Sequence, residues 1–468
     1  MSSAENPNPT SATSGHGRHL PLSGHIRATM LLGLPLVGGH LAQFAIGLTD
    51  AVMIGWYGVT ELAALTLASS YFFTIFLLGS GFAWAIMPMV ATYAARQDET
   101  QIRRVTRMAL WLSILYFVLV LPLLWFSGQA MLWLGQTAEM AALSQQYLRI
   151  AGFGMLPALG VMVLKNYLAG LEHTRIVLWI TVAGAVANVF ANYALIFGNW
   201  GMPALGITGA ALASVTSNAV MLLLVVAYAT RKTPEHQIFI RFWNPDWDMF
   251  RKVFALGMPV GITILAEAAL FAASAVLMGW LGTIPLAAHG IAIQIASATF
   301  MIHMGLSNAA TVRAGNAVGR ADPTHLKRGA QASLILSGIA VALSVAAFLL
   351  VPDLLMGLFI DPDDPDREAI LAVGRGLLAM AALFQLVDAA QVVHIGLLRG
   401  LQDTRVPMVL AALAYWGLGM PAAYLLGFPL GMEGVGVWFG LSLGLAVAAL
   451  LLGWRFWRLG PTVLIARA

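Results

Sequence analysis

Three carboxylates lie inside apolar segments of this chain. Asp388 stands in the middle of the stretch FQLVDAAQVVHIGLLRG, which runs from Phe384 to Gly400. Glu267 and Asp50 lie inside two other apolar segments. At the centre of a membrane-spanning helix, a carboxylate costs about 2.5–3.5 kcal/mol on insertion scales, and such acids mark proton and ion pathways. The three acids therefore point to ion chemistry, provided that their segments cross a bilayer.

The composition indicates that they do. Of 468 residues, 59% are hydrophobic and only 10% are charged, and the mean hydropathy is +0.81. A soluble domain carries about 25% charged residues. Apolar segments of spanning length recur along the whole chain, which predicts helices rather than a β-barrel. The chain contains no cysteine, which excludes disulfides and thiolate metal sites. We expect an all-α polytopic membrane protein.

The apolar pattern predicts twelve spans. All but three of the 25 Lys and Arg residues (Arg149, Arg367 and Arg375) fall at alternate connections, on one side of the predicted membrane. By the positive-inside rule, both termini are cytoplasmic in a multi-pass protein of the inner membrane. The basic charge is then a topology signal, and we expect no nucleic-acid partner. The predicted spans are about 26–55, 61–93, 105–127, 143–168, 176–198, 206–229, 250–279, 285–317, 329–351, 371–398, 406–427 and 433–456.

The chain repeats itself. Residues 32–35 read LGLP and residues 256–259 read LGMP, and GLEHTR at 170–175 corresponds to GLQDTR at 400–405. The repeat predicts two pseudo-symmetric six-helix bundles that cross the membrane in the same sense, an architecture of transporters whose halves rock about a central site. The predicted domains are a flexible cytoplasmic tail (1–25), an N-lobe (26–229), a cytoplasmic linker (230–249), a C-lobe (250–457) and a C-terminal tail (458–468).

The acids do not follow the repeat. Glu267 aligns with Gln43, Asp50 aligns with Ser274, and Asp388 aligns with an alanine. The scaffold is duplicated while the acids are placed asymmetrically, which suggests function more than folding. No intramembrane Lys or Arg partner is evident in the sequence, so we expect each acid to take up a proton or a small cation.

Glu267 and Asp388 both belong to the second repeat and are the candidate pair for one cation site. Phe384, Asp388 and Gln391 share one helical face by their i, i+4 and i+3 spacing. Two neighbouring carboxylates would share one proton or one metal cation. The alternative is a structural hydrogen-bonded pair that fixes helix packing.

Asp50 is the centre of a second candidate site, in the first repeat. Asn188 and Asn192 form a polar stripe at i, i+4 that could hydrogen-bond it, and Gln43 lies on the same span as Asp50. We interpret these four residues as a proton or substrate site. For the asparagines, plain adhesion between helices is the alternative.

The chain resembles the multidrug and toxic compound extrusion (MATE) family, NorM-like branch. The motifs that carry the resemblance cover nearly the whole length: LPLVGGHLAQFAIGLTDAVMIGWYG, AAHGIAIQIASATFMIHMGLSNAATVRAGNAVG and LFQLVDAAQVVHIGLLRGLQDTRVPM. The resemblance implies a V-shaped antiporter with two six-helix lobes that extrudes cationic or amphipathic compounds in exchange for Na⁺ or H⁺. By position, Glu267 and Asp388 match the cation site of the C-lobe in that branch, and Asp50, Asn188 and Asn192 match the polar site of the N-lobe.

Three positions depart from the pattern of the family. Phe384 stands where a tyrosine, an oxygen donor for sodium, is frequent. Gly290 replaces the glutamine of an AAHQ pattern, and His303 replaces a proline. The first departure weakens the expectation of sodium coupling.

We therefore expect a cation-coupled multidrug antiporter that acts as a monomer in contact with membrane lipid. It is not expected to be an enzyme or to hold a cofactor other than its coupling ion, H⁺ or Na⁺; Glu267 and Asp388 would be metal ligands only if that ion is Na⁺. A flippase for a lipid-linked precursor is the nearest alternative, but it would favour a basic cavity for pyrophosphate. An intramembrane enzyme lacks support because the sequence has neither HExxH nor a DDxxD-type site. A channel would need a selectivity ring, which a non-identical two-fold repeat does not supply.

Overall fold

Twelve long helices make up most of the part of the chain that the structure describes. The structure is a computed structural model that describes residues 20–467, with the side chains of Val59 and of residues 461–467 left out. In that range twelve helices are long and apolar enough to cross a membrane, which confirms the predicted fold class. In chain order they are α1 (Leu22–Tyr57), α2 (Thr60–Ala95), α3 (Glu99–Trp125), α4 (Ala138–Gly170), α5 (Thr174–Phe197), α6 (Ile207–Lys232), α7 (Trp247–Leu281), α8 (Thr283–Arg320), α9 (Pro323–Leu350), α10 (Arg367–Gly400), α11 (Arg405–Gly427) and α12 (Glu433–Gly460).

The helices are longer than the predicted spans, because hydropathy detects only the apolar part of a helix. α1 begins at Leu22, inside the segment predicted as a tail, and helical structure continues from α12 as far as Arg467. The remainder of the predicted N-terminal tail, residues 1–19, lies outside the described residues. The linker between α6 and α7 is correspondingly short. Its last residue, Asp246, accepts a hydrogen bond from the backbone N–H of Met249 at 3.1 Å and so caps the start of α7.

The sequence repeat returns as repeated backbone geometry. Asp98 and Asp322, which correspond in the repeat, cap α3 and α9 by accepting a hydrogen bond from the backbone N–H three residues later, at 3.0 and 2.9 Å. Glu172 and Gln402, another corresponding pair, both have left-handed backbones, with φ of 65° and 59°. The turns of the two lobes are therefore built alike. From here the N-lobe is α1–α6 and the C-lobe is α7–α12.

The lobes meet where α1 packs on α8 and α2 packs on α7. A Cβ added to Gly81 of α2 would lie 2.3 Å from the carbonyl oxygen of Gly257 and 2.4 Å from the nitrogen of Gly261 on α7. In the corresponding contact, a Cβ added to Gly305 of α8 would lie 2.5 Å from Cγ2 of Val37 on α1. Position 305 corresponds to 81, and position 261 corresponds to 37. The interface is thus self-complementary, and it needs glycine because backbones approach each other closely. We call these contacts the glycine seam.

The seam lies toward the side of the bundle on which α1 begins and α12 ends, here called the terminal side. Glu172 accepts a hydrogen bond from Nδ2 of Asn316 at 2.6 Å, and the corresponding Gln402 donates to Thr92 at 3.4 Å. Among the described residues, the side-chain hydrogen bonds between residues 20–232 and residues 247–460 lie between the middle of the helices and this side. The lobes are therefore held together on the terminal side.

We predict that Gly81→Val weakens this closure. Valine would place a branched side chain against the backbone of α7, and overpacking of this kind costs about 1–3 kcal/mol. The melting temperature should fall. The distance between labels on cysteines introduced at Arg175 and Arg405, exposed residues at the starts of α5 and α11, should increase.

Gly290→Val is the matched control, because a Cβ at Gly290 would meet no atom within 4 Å. It should leave both measurements unchanged. Equal melting temperatures for the two variants would contradict the claim that close packing at the glycine seam stabilises the contact between the lobes.

Candidate functional site

The C-lobe brings Glu267 and Asp388 together. Asp388 lies in the middle of α10 and is only 2% exposed, whereas Glu267 lies on α7 and is partly buried. The two carboxylates act on each other electrostatically. The two acids of the second repeat therefore belong to one candidate site.

Gln391 joins this site from the next turn of α10. Its Nε2 donates a hydrogen bond to the hydroxyl of Tyr415 at 2.5 Å, and both side chains are fully buried. Tyr415 lies in a π-helical segment of α11, Leu413–Gly419, and such segments are frequent at functional sites. Tyr415 was not predicted. No pattern in the sequence singled it out.

Two buried oxygen atoms of the site lack a donor. Oδ1 of Asp388 and Oε1 of Gln391 accept no hydrogen bond from the described residues. A buried polar atom without a partner is costly and calls for a proton, a cation or water. The site therefore has free acceptor oxygens for one bound proton or cation.

A basic group, Arg399, lies near the end of α10, but it forms no salt bridge with Glu267 or Asp388 among the described residues. Arg399 acts electrostatically on Glu267. The sequence did not indicate this influence, because Glu267 is on another helix and the arginine side chain is long. With Glu267 and Asp388 both ionised, the three groups sum to one negative charge. One monovalent cation would neutralise them.

An apolar wall closes one side of Asp388. Phe384, one turn earlier on α10, is 3% exposed and packs edge-on against Phe271 and Trp438, with ring centroids 5.8 and 5.7 Å apart. The indole N–H of Trp438 donates to Nδ1 of His289 at 3.0 Å. Where the family frequently has a tyrosine oxygen, this protein has a packed aromatic cluster.

The oxygen atoms that remain at the C-lobe site could bind a proton or a small monovalent cation. Among the described residues, no group of three or more His, Cys, Asp or Glu side chains could hold a metal ion. A sodium ion would have to rely on the two carboxylates and on neutral oxygens such as Oε1 of Gln391. A proton needs only one carboxylate.

In the N-lobe, Asp50 has the partners that the spacing suggested. Asn188 and Asn192 of α5 both donate to its Oδ1, at 2.9 and 2.6 Å. Ser214 of α6, which was not predicted, donates to Oδ2 at 3.2 Å. Gln43 is exposed on α1 and is not among the donors that the described residues supply to Asp50. The two sites therefore differ: Asp50 is satisfied by three donors, while Asp388 keeps an oxygen without one.

The other two departures from the family pattern, His303 and Gly290, lie outside the two acidic sites. His303 is fully buried on α8 and its Nδ1 hydrogen-bonds with Oγ of Ser337 on α9 at 3.0 Å. A side chain at Gly290 would point into open space. Neither residue reaches the acids through a hydrogen bond among the described residues.

Comparisons with known proteins agree with this architecture. The MatE family model matches residues 35–194 and 259–425. A probable multidrug resistance protein NorM from Rhizobium meliloti (strain 1021) is 48% identical over 437 residues, covering 93% of this chain and 94% of that protein. A protein of the same description from Agrobacterium fabrum (strain C58) is 45% identical over 437 residues, covering 92% and 93%. The solved structure of a multidrug resistance MATE transporter in an outward-facing conformation superposes with a TM-score of 0.84 at 20% identity, covering 95% of this chain and 97% of that one.

We predict strong energetic coupling between Asp50 and Asn192. In a double-mutant cycle of Asp50→Asn and Asn192→Ala, the free energies of unfolding should deviate from additivity by about 0.5–3 kcal/mol, because the pair shares a hydrogen bond. Unfolding would be followed by denaturant titration in detergent micelles. The cycle of Asp50→Asn with Gln43→Ala is the control and should be additive. A coupling as large for Gln43 would contradict the site described above.

Proposed function

Because this chain belongs to the MatE family, we propose that it is a cation-coupled antiporter that exports cationic and amphipathic drugs. It is a transporter and not an enzyme. The observation that carries the coupling is the C-lobe site, in which two carboxylates interact electrostatically and two buried oxygens accept no hydrogen bond from the described residues; with its arginine, the site would carry one net negative charge when all three groups are ionised.

In the proposed cycle, one cation binds at Asp388 and Glu267 and neutralises the site. A ligand shifts a conformational equilibrium only by its differential affinity for the two states. The cation and the drug therefore need not compete for one carboxylate. It is enough that the loaded site favours one orientation of the lobes and that the drug favours the other.

We favour H⁺ as the coupling ion. The aromatic wall at Phe384 offers no oxygen to a sodium ion. A proton on Oδ1 of Asp388 would remove the charge of the carboxylate and convert this oxygen into a hydroxyl that can donate a hydrogen bond. Sodium is the second candidate, supported by the free Oε1 of Gln391, which points to an additional oxygen ligand.

The proposed orientation places the terminal side in the cytoplasm, where the positive-inside rule puts the clustered Lys and Arg residues. The closed terminal side then corresponds to an outward-facing state of a protein in the inner membrane. We further propose that the monomer is the transporting unit, since each lobe of one chain supplies half of the seam. A flippase for pyrophosphate-linked lipids is disfavoured because Arg399, the basic group near the C-lobe site, already interacts electrostatically with Glu267.

We predict that Asp388→Asn abolishes coupled transport. Purified protein would be reconstituted into liposomes, and transport of a cationic dye would be driven separately by a proton gradient and by a sodium gradient. The proton gradient should drive wild-type transport, and Asp388→Asn should reduce the rate at least about 100-fold, the loss expected when an essential proton-transfer group is removed.

Asp363→Asn is the control for this measurement, since Asp363 is exposed in the loop before α10. Its rate should equal that of the wild type. Undiminished transport by Asp388→Asn under both gradients would refute the proposed coupling site, and absence of dye transport in wild type under either gradient would refute drug antiport itself.

We also predict that Phe384→Tyr confers a response to sodium. The new hydroxyl would lie one turn from Asp388 and supply the oxygen that the aromatic wall lacks. Dye transport under a sodium gradient should rise several-fold above that of the wild type. Phe271→Tyr, which adds a hydroxyl to the same aromatic cluster from α7, is the control. If both variants respond equally, the position of the oxygen does not determine ion choice.

A further inference from the structure

A histidine also lies in the contact between the lobes, away from the three acids. His25, in the first turn of α1, is 2% exposed, and Arg313 of α8 is 5% exposed. Nη2 of Arg313 donates a hydrogen bond to Nδ1 of His25 at 2.5 Å. The bond joins the N-lobe to the C-lobe on the terminal side, next to the hydrogen bond between Asn316 and Glu172.

This hydrogen bond fixes the protonation of His25 at one nitrogen. A guanidinium group has five N–H donors and no acceptor. The Nδ1 atom of His25 must therefore present its lone pair, which a protonated imidazole does not have. The similar contact between Asn308 and His40, at 2.8 Å, carries no such information, because an amide can donate or accept.

The surroundings would not compensate a second positive charge. The carboxylates that act on the pair are Asp322, at the start of α9, and Glu172, and the latter already accepts from Asn316. Basic groups outnumber them. The rings of His25 and His325 lie 5.0 Å apart. Besides His25 and Arg313 themselves, the charged and titratable groups around the pair are Arg320 of α8, Asp322, His325 and Arg328 at the start of α9, Glu172 of the N-lobe and the exposed Arg27 of α1.

We propose that His25 is a proton-binding site that controls closure of the terminal side. The neutral imidazole accepts from Arg313 and helps to hold the lobes together. A proton on Nδ1 removes the acceptor, breaks this hydrogen bond and places two cations side by side in a buried contact. The lobes then separate on the terminal side. Imidazoles titrate between about pH 5 and 8, so mild acidification on that side opens the protein toward it.

This site is distinct from the proposed coupling site at Asp388 and Glu267, and it does not depend on which ion drives transport. Acid on the terminal side would favour the state that opens there. If that side is cytoplasmic, a fall in internal pH would bias the transporter toward its inward-facing state.

The test measures the separation of the lobes directly. The chain has no native cysteine, so spin labels can be placed on cysteines introduced at Arg175 and Arg405, which correspond in the repeat and are exposed on the terminal side. Distances would be measured by pulsed electron paramagnetic resonance in lipid nanodiscs from pH 8 to pH 5. In the wild-type background the ratio of long to short distances should rise on acidification by up to about tenfold per pH unit, the limit for one linked proton.

His25→Asn and His25→Gln keep a neutral oxygen acceptor for Arg313 but cannot be protonated. Both variants should hold the short distance across the pH range, and their melting temperatures at pH 8 would show that they fold. His325→Asn, which changes the neighbouring ring, should keep the pH response. The same comparison in an Asp388→Asn background should again show the response that depends on His25, so it separates this site from the coupling site.

Three results would overturn the proposal. One is a wild-type distance distribution that does not change with pH. Another is a pH response that survives in both His25 variants. The third is a response that disappears with His325→Asn and persists with His25→Asn, which would assign the proton to the other histidine.

Discussion

The close approach of backbones along the glycine seam is the constraint on which the rest of the structure depends. At Gly81 and Gly305 the space for a Cβ is occupied by the opposite lobe, so the contact has little slack and its geometry is well defined. In a bilayer, helices gain little from burying apolar side chains against each other, and close packing at small residues is a main source of their association. The seam is repeated in both lobes and lies toward the terminal side. It therefore joins the lobes on that side and does not hold them together along their whole length.

The repeat explains the scaffold and makes the chemistry stand out against it. Corresponding turns have corresponding caps and left-handed residues, and even the hydrogen bonds of Glu172 and Gln402 to the opposite lobe are related by the repeat. The acids break this symmetry. Asp50 is surrounded by donors, whereas Asp388 is buried with an oxygen unsatisfied. Two lobes of one fold thus present one satisfied carboxylate and one that needs a partner.

The sequence predicted features that form a pattern along the chain and missed single residues that gain a role only through contact with another helix. Twelve spans, the duplication and the asparagine stripe beside Asp50 all follow from spacing along single helices. Ser214 and Tyr415 could not be found in this way, because an isolated serine or tyrosine in an apolar span is unremarkable until another helix is packed against it. The influence of Arg399 on Glu267 was missed for the same reason. Helix ends were misplaced because polar turns continue a helix beyond its apolar core.

Two helices of the seam also carry titratable groups, although Asp388 itself lies on α10, and this connects charge to the position of the lobes. Glu267 follows Gly261 on α7 by six residues, about 9 Å along the helix. Asp50 and His25 lie on α1, on either side of Val37, and α1 packs on α8 through that residue. In the proposed cycle, loading or unloading a carboxylate on α7, or a histidine on α1, would act on the α1–α8 and α2–α7 contacts that join the lobes.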